Sequence, residues 1–230
     1  MPLTKTRGNM YDWVTHMHTH IRGACSHRCP YCYVQKGPGA RMGHYAGALR
    51  LEEKELLVSY GQGKIIFLEH MNDLFAADVP PDWQRRILAH ARQWPCNKYI
   101  IQTKNPASAL LYLLSGQMPA NCAIGTTIET NRPVEKSAAP PAEIRAKAMS
   151  LMPDPQETFI TIEPIMDFDL EEMLPLIEEA CPDWVNIGAD SKGAGLPEPS
   201  RAQVAALIQA INDKGFKIRN KTNLDRILNQ

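Results

Sequence analysis

The sequence predicts an α/β fold: an incomplete (βα)6-type TIM barrel with parallel strands inside and helices outside. Two observations carry that expectation. Short β-rich runs alternate with amphipathic helical stretches through most of the chain, and the residues just after the β-rich runs are unusually polar. Repeated βα units imply parallel strands joined by right-handed crossovers, in an open doubly wound sheet or in a barrel. Six or seven short strands in 230 residues fall below the ~250 residues typical of a closed eightfold barrel, so closure is expected to be incomplete.

The first expected strand is Val14–Ile21, which puts His16, His18 and His20 on one side, toward the barrel interior or the substrate. A metal site from these three is geometrically poor, because alternate Cβ atoms stand ~6.6–7 Å apart along a strand. The later strands are expected at Lys64–Leu68, Lys98–Thr103, Cys122–Ile128, Thr158–Ile162, Trp184–Ile187 and Phe216–Arg219. Helices are expected over 82–94, with Ile87, Leu88 and Ala91 at helical spacing, and over 169–180, with Leu170, Met173, Leu174 and Ile177. A third, over 200–214, carries Val204, Leu207, Ile208 and Ile211, begins at Ser200 as N-cap and stops at Gly215. The segment 131–142, NRPVEKSAAPPA, reads as one long loop and a candidate lid.

A parallel barrel places its chemistry on loops at the carboxyl ends of its strands. Those positions hold Glu69-His70-Met71-Asn72-Asp73, Gln102-Thr103-Lys104-Asn105, Glu129-Thr130-Asn131-Arg132, Glu163, and Asp190-Ser191-Lys192. Hydrophobic content of 44% is enough for a sizeable core, and one domain over 1–230 with its barrel core at about 12–222 is expected. Zero formal net charge excludes a global field toward nucleic acid or membrane. No apolar run approaches the ~20 residues of a membrane span. Residues 1–10 are polar and lack a secretory core, and the scattered Cys96, Cys122 and Cys181 fit a reducing cytoplasm, the expected location.

The densest chemistry lies in Cys25-Ser26-His27-Arg28-Cys29-Pro30-Tyr31-Cys32. The C-x3-C-x2-C spacing offers three thiolates with no fourth cysteine nearby. A histidine such as His27 or His44 could complete a zinc site, which wants four ligands. A [4Fe–4S] cluster on three thiolates instead leaves one iron open for a small molecule bearing an amine and a carboxylate.

With Tyr31 just before the last cysteine, this run resembles the signature of the radical S-adenosylmethionine (SAM) enzymes. The resemblance implies that Cys25, Cys29 and Cys32 hold a [4Fe–4S] cluster. It also implies that the cluster cleaves SAM to a hydrogen-abstracting 5′-deoxyadenosyl radical, fed by an external flavodoxin-like or ferredoxin-like electron donor. The segments CSHRCPYCYV, FLEHMNDLFAADVP, YIIQTKNP, IGTTIETNR, ITIEPIMDFD and WVNIGADSKGAG are similar to an uncharacterised radical SAM family common in phages and prophages. The cysteine loop also resembles that of the spore photoproduct lyases, which repair thymine dimers in DNA. The function so implied is modification or rearrangement of a nucleobase or its side chain, in DNA hypermodification of the phage type, with a nucleotide or DNA as partner. A free small-molecule substrate and a non-catalytic metal-binding module are the alternatives.

The superfamily's Gly-Gly-Glu motif at the second strand is replaced here by Leu68-Glu69-His70-Met71-Asn72-Asp73. The resemblance therefore assigns the methionyl amine of SAM to Asn72 and Asp73, for which a turn or helix cap is the competing reading. It assigns the SAM carboxylate to Lys104, the ribose to Thr127 and Glu129, and the adenine or the cluster wall to Tyr31. Glu163 leaves a buried run, and with Asp190 and Lys192 it is expected on the catalytic, substrate-facing side. Lys214, Lys217, Arg219, Lys221 and Arg226 form a basic run that could steer phosphates.

Overall fold

The β-rich runs become a sheet whose strands follow one another in chain order. The computed structural model describes residues 3–37 and 42–229. Its strands are β1 (Thr4–Lys5), β2 (His16–His18), β3 (Ile21–Arg22), β4 (Arg50–Leu51), β5 (Ile65–Leu68), β6 (Lys98–Gln102), β7 (Cys122–Thr127), β8 (Glu157–Ile162), β9 (Trp184–Ile187) and β10 (Lys217–Asn220). The main sheet runs β1-β2-β5-β6-β7-β8-β9-β10, and β3 pairs with β4 apart from it. Every neighbouring pair from β2 to β10 is parallel; only β1 is antiparallel to its neighbour. A doubly wound sheet reverses direction part-way, whereas this order never does, so the fold is the partial barrel. It is open, with β1 and β10 as edges.

The helix α1 (Tyr33–Lys36) follows the cysteine loop beside the interior cavity, and the others cover the outer face: α2 (Pro81–Arg92), α3 (Pro106–Leu114), α4 (Ala142–Ser150), α5 (Leu170–Ala180), α6 (Arg201–Asp213) and α7 (Asp225–Leu228). α2 and α3 each begin with proline, whose missing N–H costs nothing in the first turn. α6 has the expected Ser200 cap, completed by Gln203 as a reciprocal capping box, and the chain turns away at Gly215 with φ +81°. No described helix is long and apolar enough to cross a membrane.

Three apolar groupings hold these layers. Beneath α4 to α6, Ile160, Ile162, Val185 and Ile187 of the sheet meet Met173, Ile177, Val204 and Leu207. Beneath α2 and α3, Ile66, Leu68 and Ile101 meet Ile87, Leu88 and Ala109. The amino-end floor of the barrel is aromatic, with Phe159 and Trp184 stacked at 5.1 Å, and Tyr11 stacked on Trp13 at 5.2 Å. The Arg219 guanidinium lies 4.9 Å and 4.5 Å from the rings of Trp13 and Trp184. Gly125 leaves room for this floor, since a Cβ there would lie 2.2 Å from the Phe159 ring.

The expected strand Val14–Ile21 is not continuous. β2 stops at His18, and Ile21–Arg22 turns away to pair antiparallel with β4. Glu69 makes the break. Its backbone sits at φ +56° and its N–H donates to His18 O at 2.8 Å. Its carboxylate accepts the backbone N–H groups of His20 (2.8 Å) and Ile21 (3.2 Å) and the His20 Nδ1–H (2.5 Å). The expected facing of the histidines is also corrected. Met17 faces the interior cavity, so its neighbours His16 and His18 point to the outer side. His18 and His20 are buried there, beside Tyr60 and His90.

Candidate functional site

The carboxyl ends of the parallel strands surround a cavity of about 760 Å³. Cys25, Cys29 and Cys32 all line it, half-buried and free. Burial, with Asp73 adding to it, pushes the Cys25 thiol up to about 12, and burial raises Cys32 as well. Thiols raised in this way, as Cys25 and Cys32 are, give up their protons when a positive centre binds.

The cysteine loop is clamped from two sides. His27, buried inside the motif, donates through Nε2 to Asp73 Oδ2 at 2.8 Å. The same carboxylate accepts the backbone N–H groups of Lys104 (2.8 Å) and Phe75 (3.0 Å), so it ties the loop to the end of β6. Burial works against the Asp73 charge, but these donors outweigh it and hold its pKa below the usual range. From the other side, Ala138 N–H donates to His27 O at 2.7 Å. Segment 131–142 is thus a docked strap rather than a free lid. Its start is fixed by Arg132, which forms ion pairs with Asp167 and, at 2.8 Å, Asp169.

Those contacts bear on what the thiols can hold. Among the described residues, no three His, Cys, Asp or Glu side chains converge on a point that one metal ion could occupy. His27, the motif's own histidine, has its Nε2 committed to Asp73. Three cysteines distributed along a loop suit the separate corners of a polynuclear cluster better than a tetrahedral ion.

Behind the loop lies a buried ionic cluster. Glu129 Oε2 accepts from Arg145 at 2.8 Å, Lys104 Nζ lies 3.3 Å from both carboxylate oxygens, and the Tyr31 hydroxyl donates to Oε1. Burial opposes the Glu129 charge, yet Lys104 and Arg145 together bring its pKa down to about 2. The Lys104 ammonium also stands 5.1 Å from the centre of the Tyr31 ring. Tyr31, Lys104 and Thr127 line the cavity, whereas Glu129 sits behind them. Asn72 lines it too, and donates to Gly23 O at 3.3 Å.

The opposite wall carries Glu163. Its carboxylate accepts from Asn9 Nδ2 and from Lys221 Nζ, each at 2.7 Å. Gly188 makes the space, since a Cβ there would approach the Glu163 carboxyl carbon to 2.9 Å. Lys221 Nζ lies 4.7 Å from the centre of the Tyr11 ring, whose hydroxyl bonds Gln102 (2.8 Å) and Thr161 (2.6 Å). Asp190 and Lys192 lie at the rim, where the Asp190 carboxylate accepts the N–H groups of Lys192 (2.9 Å) and Ala194 and so shapes its own turn.

The structure therefore brings all the expected site residues except Glu129 onto one cavity, and Glu129 touches two of them. Sequence reasoning missed Asn9 and Tyr11, which arrive from the N-terminal segment. It also missed Arg145, for which the only signal was a lone arginine among the small residues of α4. The basic C-terminal run does not form a stripe. Lys214 pairs with Glu178 and Arg226 with Glu198, Arg219 is stacked at the floor, and Lys221 points into the cavity.

The profile of a family described as "Protein of unknown function (DUF5131)" matches residues 9–215. The chain belongs to this family. No curated protein matches this DUF5131 chain in sequence. Among solved structures it is similar to a point mutant of spore photoproduct lyase, at 11% identity and TM-score 0.65, over 94% of this chain and 80% of that one. A spore photoproduct lyase double mutant with bound AdoMet and dinucleoside spore photoproduct aligns at 12% identity and TM-score 0.55, over 89% and 63% of the two chains. Streptococcus suis SuiB bound to S-adenosylmethionine aligns at 10% identity and TM-score 0.57, over 86% and 48%. At such identities the DUF5131 chain shares a fold with these proteins.

Proposed function

We propose that this DUF5131 protein is a radical SAM enzyme acting on a nucleobase or its side chain, with the whole chain working as one domain. The observation that carries the reading is that the three cysteines of a C-x3-C-x2-C loop line one cavity at the carboxyl end of a parallel partial barrel. Two of the structurally similar proteins have AdoMet or S-adenosylmethionine bound, which supports it. A [4Fe–4S] cluster on Cys25, Cys29 and Cys32 would supply the electron for reductive cleavage of SAM to a 5′-deoxyadenosyl radical.

The chain's own residues supply the rest. Lys104 and Arg145 carry two positive charges against the single negative charge of Glu129, leaving a local excess suited to the SAM carboxylate. The Thr127 hydroxyl and the Gln102 carboxamide, 3.0 Å apart, offer polar partners for the ribose, backed by Glu129. Asn72 and Asp73 stand at the amine end, and Tyr31 covers one wall. On the far wall Glu163 and Lys221 present an acceptor and a donor side by side, next to the ring of Tyr11 and the apolar Met10, Met17 and Phe67. A flat heterocycle whose edge pairs N–H with C=O is complementary to that wall. Asp190 and Lys192 would meet the substrate at the rim.

The reductant would be an external flavodoxin-like or ferredoxin-like protein, in a reducing cytoplasm. A role in phage-type DNA hypermodification is supported by the sequence resemblance, and a base in duplex DNA would have to be flipped to reach this cavity. The pairing of Lys214 with Glu178 and of Arg226 with Glu198 favours the second reading, a free nucleotide or nucleoside precursor, because those two cations are already neutralised within the chain.

Anaerobic reconstitution tests the chemistry. Four irons per chain and dithionite-dependent release of 5′-deoxyadenosine are expected, and Cys29→Ala should abolish both. A fully loaded chain that releases none refutes the enzyme reading. Gel shifts at graded salt separate the substrates: a steep salt slope supports polymeric DNA, and no shift at low salt removes it.

A further inference from the structure

Each sulfur of the cysteine loop has a hydrogen-bond donor close by, but the donors come from different places. Cys25 sits under the backbone N–H of His27, and Cys32 under those of Val34 and Gln35 at the start of α1. Both are local, supplied by the fold of the loop itself. Cys29 is served from 108 residues further along the chain, by the Ser137 hydroxyl of the strap, with Oγ 3.9 Å from Sγ. We propose that Ser137 donates this hydrogen bond to the Cys29 sulfur and sets the reduction potential of the cluster that the loop holds.

The inference rests on the radical SAM reading above and adds a residue outside the cysteine loop to it. Three observations carry it. First, the strap is held by its backbone and not by the hydroxyl. Ala138 N–H reaches His27 O at 2.7 Å, Ser137 N–H reaches Val134 O at 3.2 Å, and Lys136 turns the chain at φ +65°. Second, the hydroxyl proton is not committed elsewhere: His27 O at 3.4 Å and Cys29 Sγ at 3.9 Å each lie near the limit for their kind of atom. A thiolate sulfur in place of the thiol makes the stronger acceptor, because the bond becomes charge-assisted. Third, the hydroxyl oxygen also accepts Ala139 N–H at 3.3 Å, which leaves its single proton to be given away.

A hydrogen bond to a ligand sulfur stabilises the extra negative charge of the reduced cluster and so raises its potential. The couple concerned takes one electron from an external reductant, and no covalent bond forms or breaks. Ser137 is thus a positioning and tuning residue that touches neither SAM nor substrate.

The test is a dye-mediated dithionite titration of the reconstituted chain, followed by electron paramagnetic resonance of the reduced cluster. Ser137→Ala should retain four irons per chain but shift the midpoint to a more negative value. At a fixed poise its reduced-to-oxidised ratio should fall about threefold, the scale of one modest hydrogen bond. Ser137→Thr, which keeps the hydroxyl, should restore the wild-type midpoint. Equal midpoints in wild type and Ser137→Ala overturn the inference while leaving the radical SAM reading intact. Equal shifts in the Ala and Thr variants overturn it as well, since they would report strap packing alone. A wild-type chain that takes up no cluster overturns both.

Discussion

Beneath α5 and α6 the sheet buries Ile160, Ile162, Val185 and Ile187, whereas beneath α2 it also buries a string of polar groups. That string runs from the Glu69 carboxylate to His20, from His20 to His90 at 3.1 Å, and from His90 to Val58 O at 2.9 Å, with the Tyr60 hydroxyl 3.2 Å from His20. Apolar burial stabilises a layer without specifying direction. Hydrogen bonds specify direction. The first half of the barrel is where the chain must leave the sheet and deliver three cysteines to the mouth, and there the core is directional. The second half sets its polar side chains, such as Glu163 and Asp190, at the mouth above an apolar layer.

The largest expected effect tests this contrast at Glu69. Removing its carboxylate with Glu69→Ala strands two backbone N–H groups and one imidazole, and should cost about 3–5 kcal/mol. Ile160→Val in the apolar half should cost only about 0.5–1.5 kcal/mol. Urea unfolding measures both, and equal losses would break the comparison. Glu69→Ala should also lower the iron retained after reconstitution, which Ile160→Val should not.

Acid titration separates the halves further. Glu129 is held ionised by Lys104 and Arg145 with its pKa near 2, so its contribution is complete above about 4.5 and is lost as pH falls toward 2. Its size is on the order of 3 kcal/mol. His18 behaves differently: burial, then the neighbouring His20, push its pKa down to about 3. Below pH 6.5 the unfolded chain takes up a proton there that the folded chain refuses. Stability therefore falls as pH drops from 6.5 toward 3, by about 2 kcal/mol at pH 5. His18→Gln should flatten the slope between pH 6.5 and 5, and Arg145→Met should change it only below about 4.5. A loss as small as that of Ile160→Val is expected again in the apolar half, where Ser200→Ala removes one arm of the α6 capping box, at about 1 kcal/mol in thermal unfolding.

Much of this architecture was legible in the sequence because its signals are local. Ile65–Leu68, Cys122–Thr127 and Trp184–Ile187 are short apolar runs bounded by polar ends, and Ser200 with Gly215 punctuates α6 from within its own segment. The strand-end residues Lys104, Thr127 and Glu163 were legible for the same reason. The three histidines were misread because alternation says which residues share a face, not which face is inside, and Glu69 ends the strand from 49 positions away. Tyr11 meets Thr161 across 150 positions, and no local pattern marks such a partner. The basic C-terminal run looked like a surface because its charges are neighbours in sequence. The fold sends Lys214 and Arg226 to two helices, Arg219 to the floor and Lys221 to the cavity.

One wall of the cavity, from Arg7 to Tyr11, lies outside the βα repeat. It is a short linear segment whose Asn9 reaches Glu163 and whose Tyr11 reaches Gln102 and Thr161, and no residue of it belongs to a strand of the parallel ladder. In terms of how such a protein diverges, that separates two kinds of change. The cysteine loop and the residues behind it are tied into the ladder and the strap, so they move only together. The wall at Asn9 can be exchanged by replacing a few consecutive residues, reshaping what the cavity accepts while the machinery on the opposite side stays as it is.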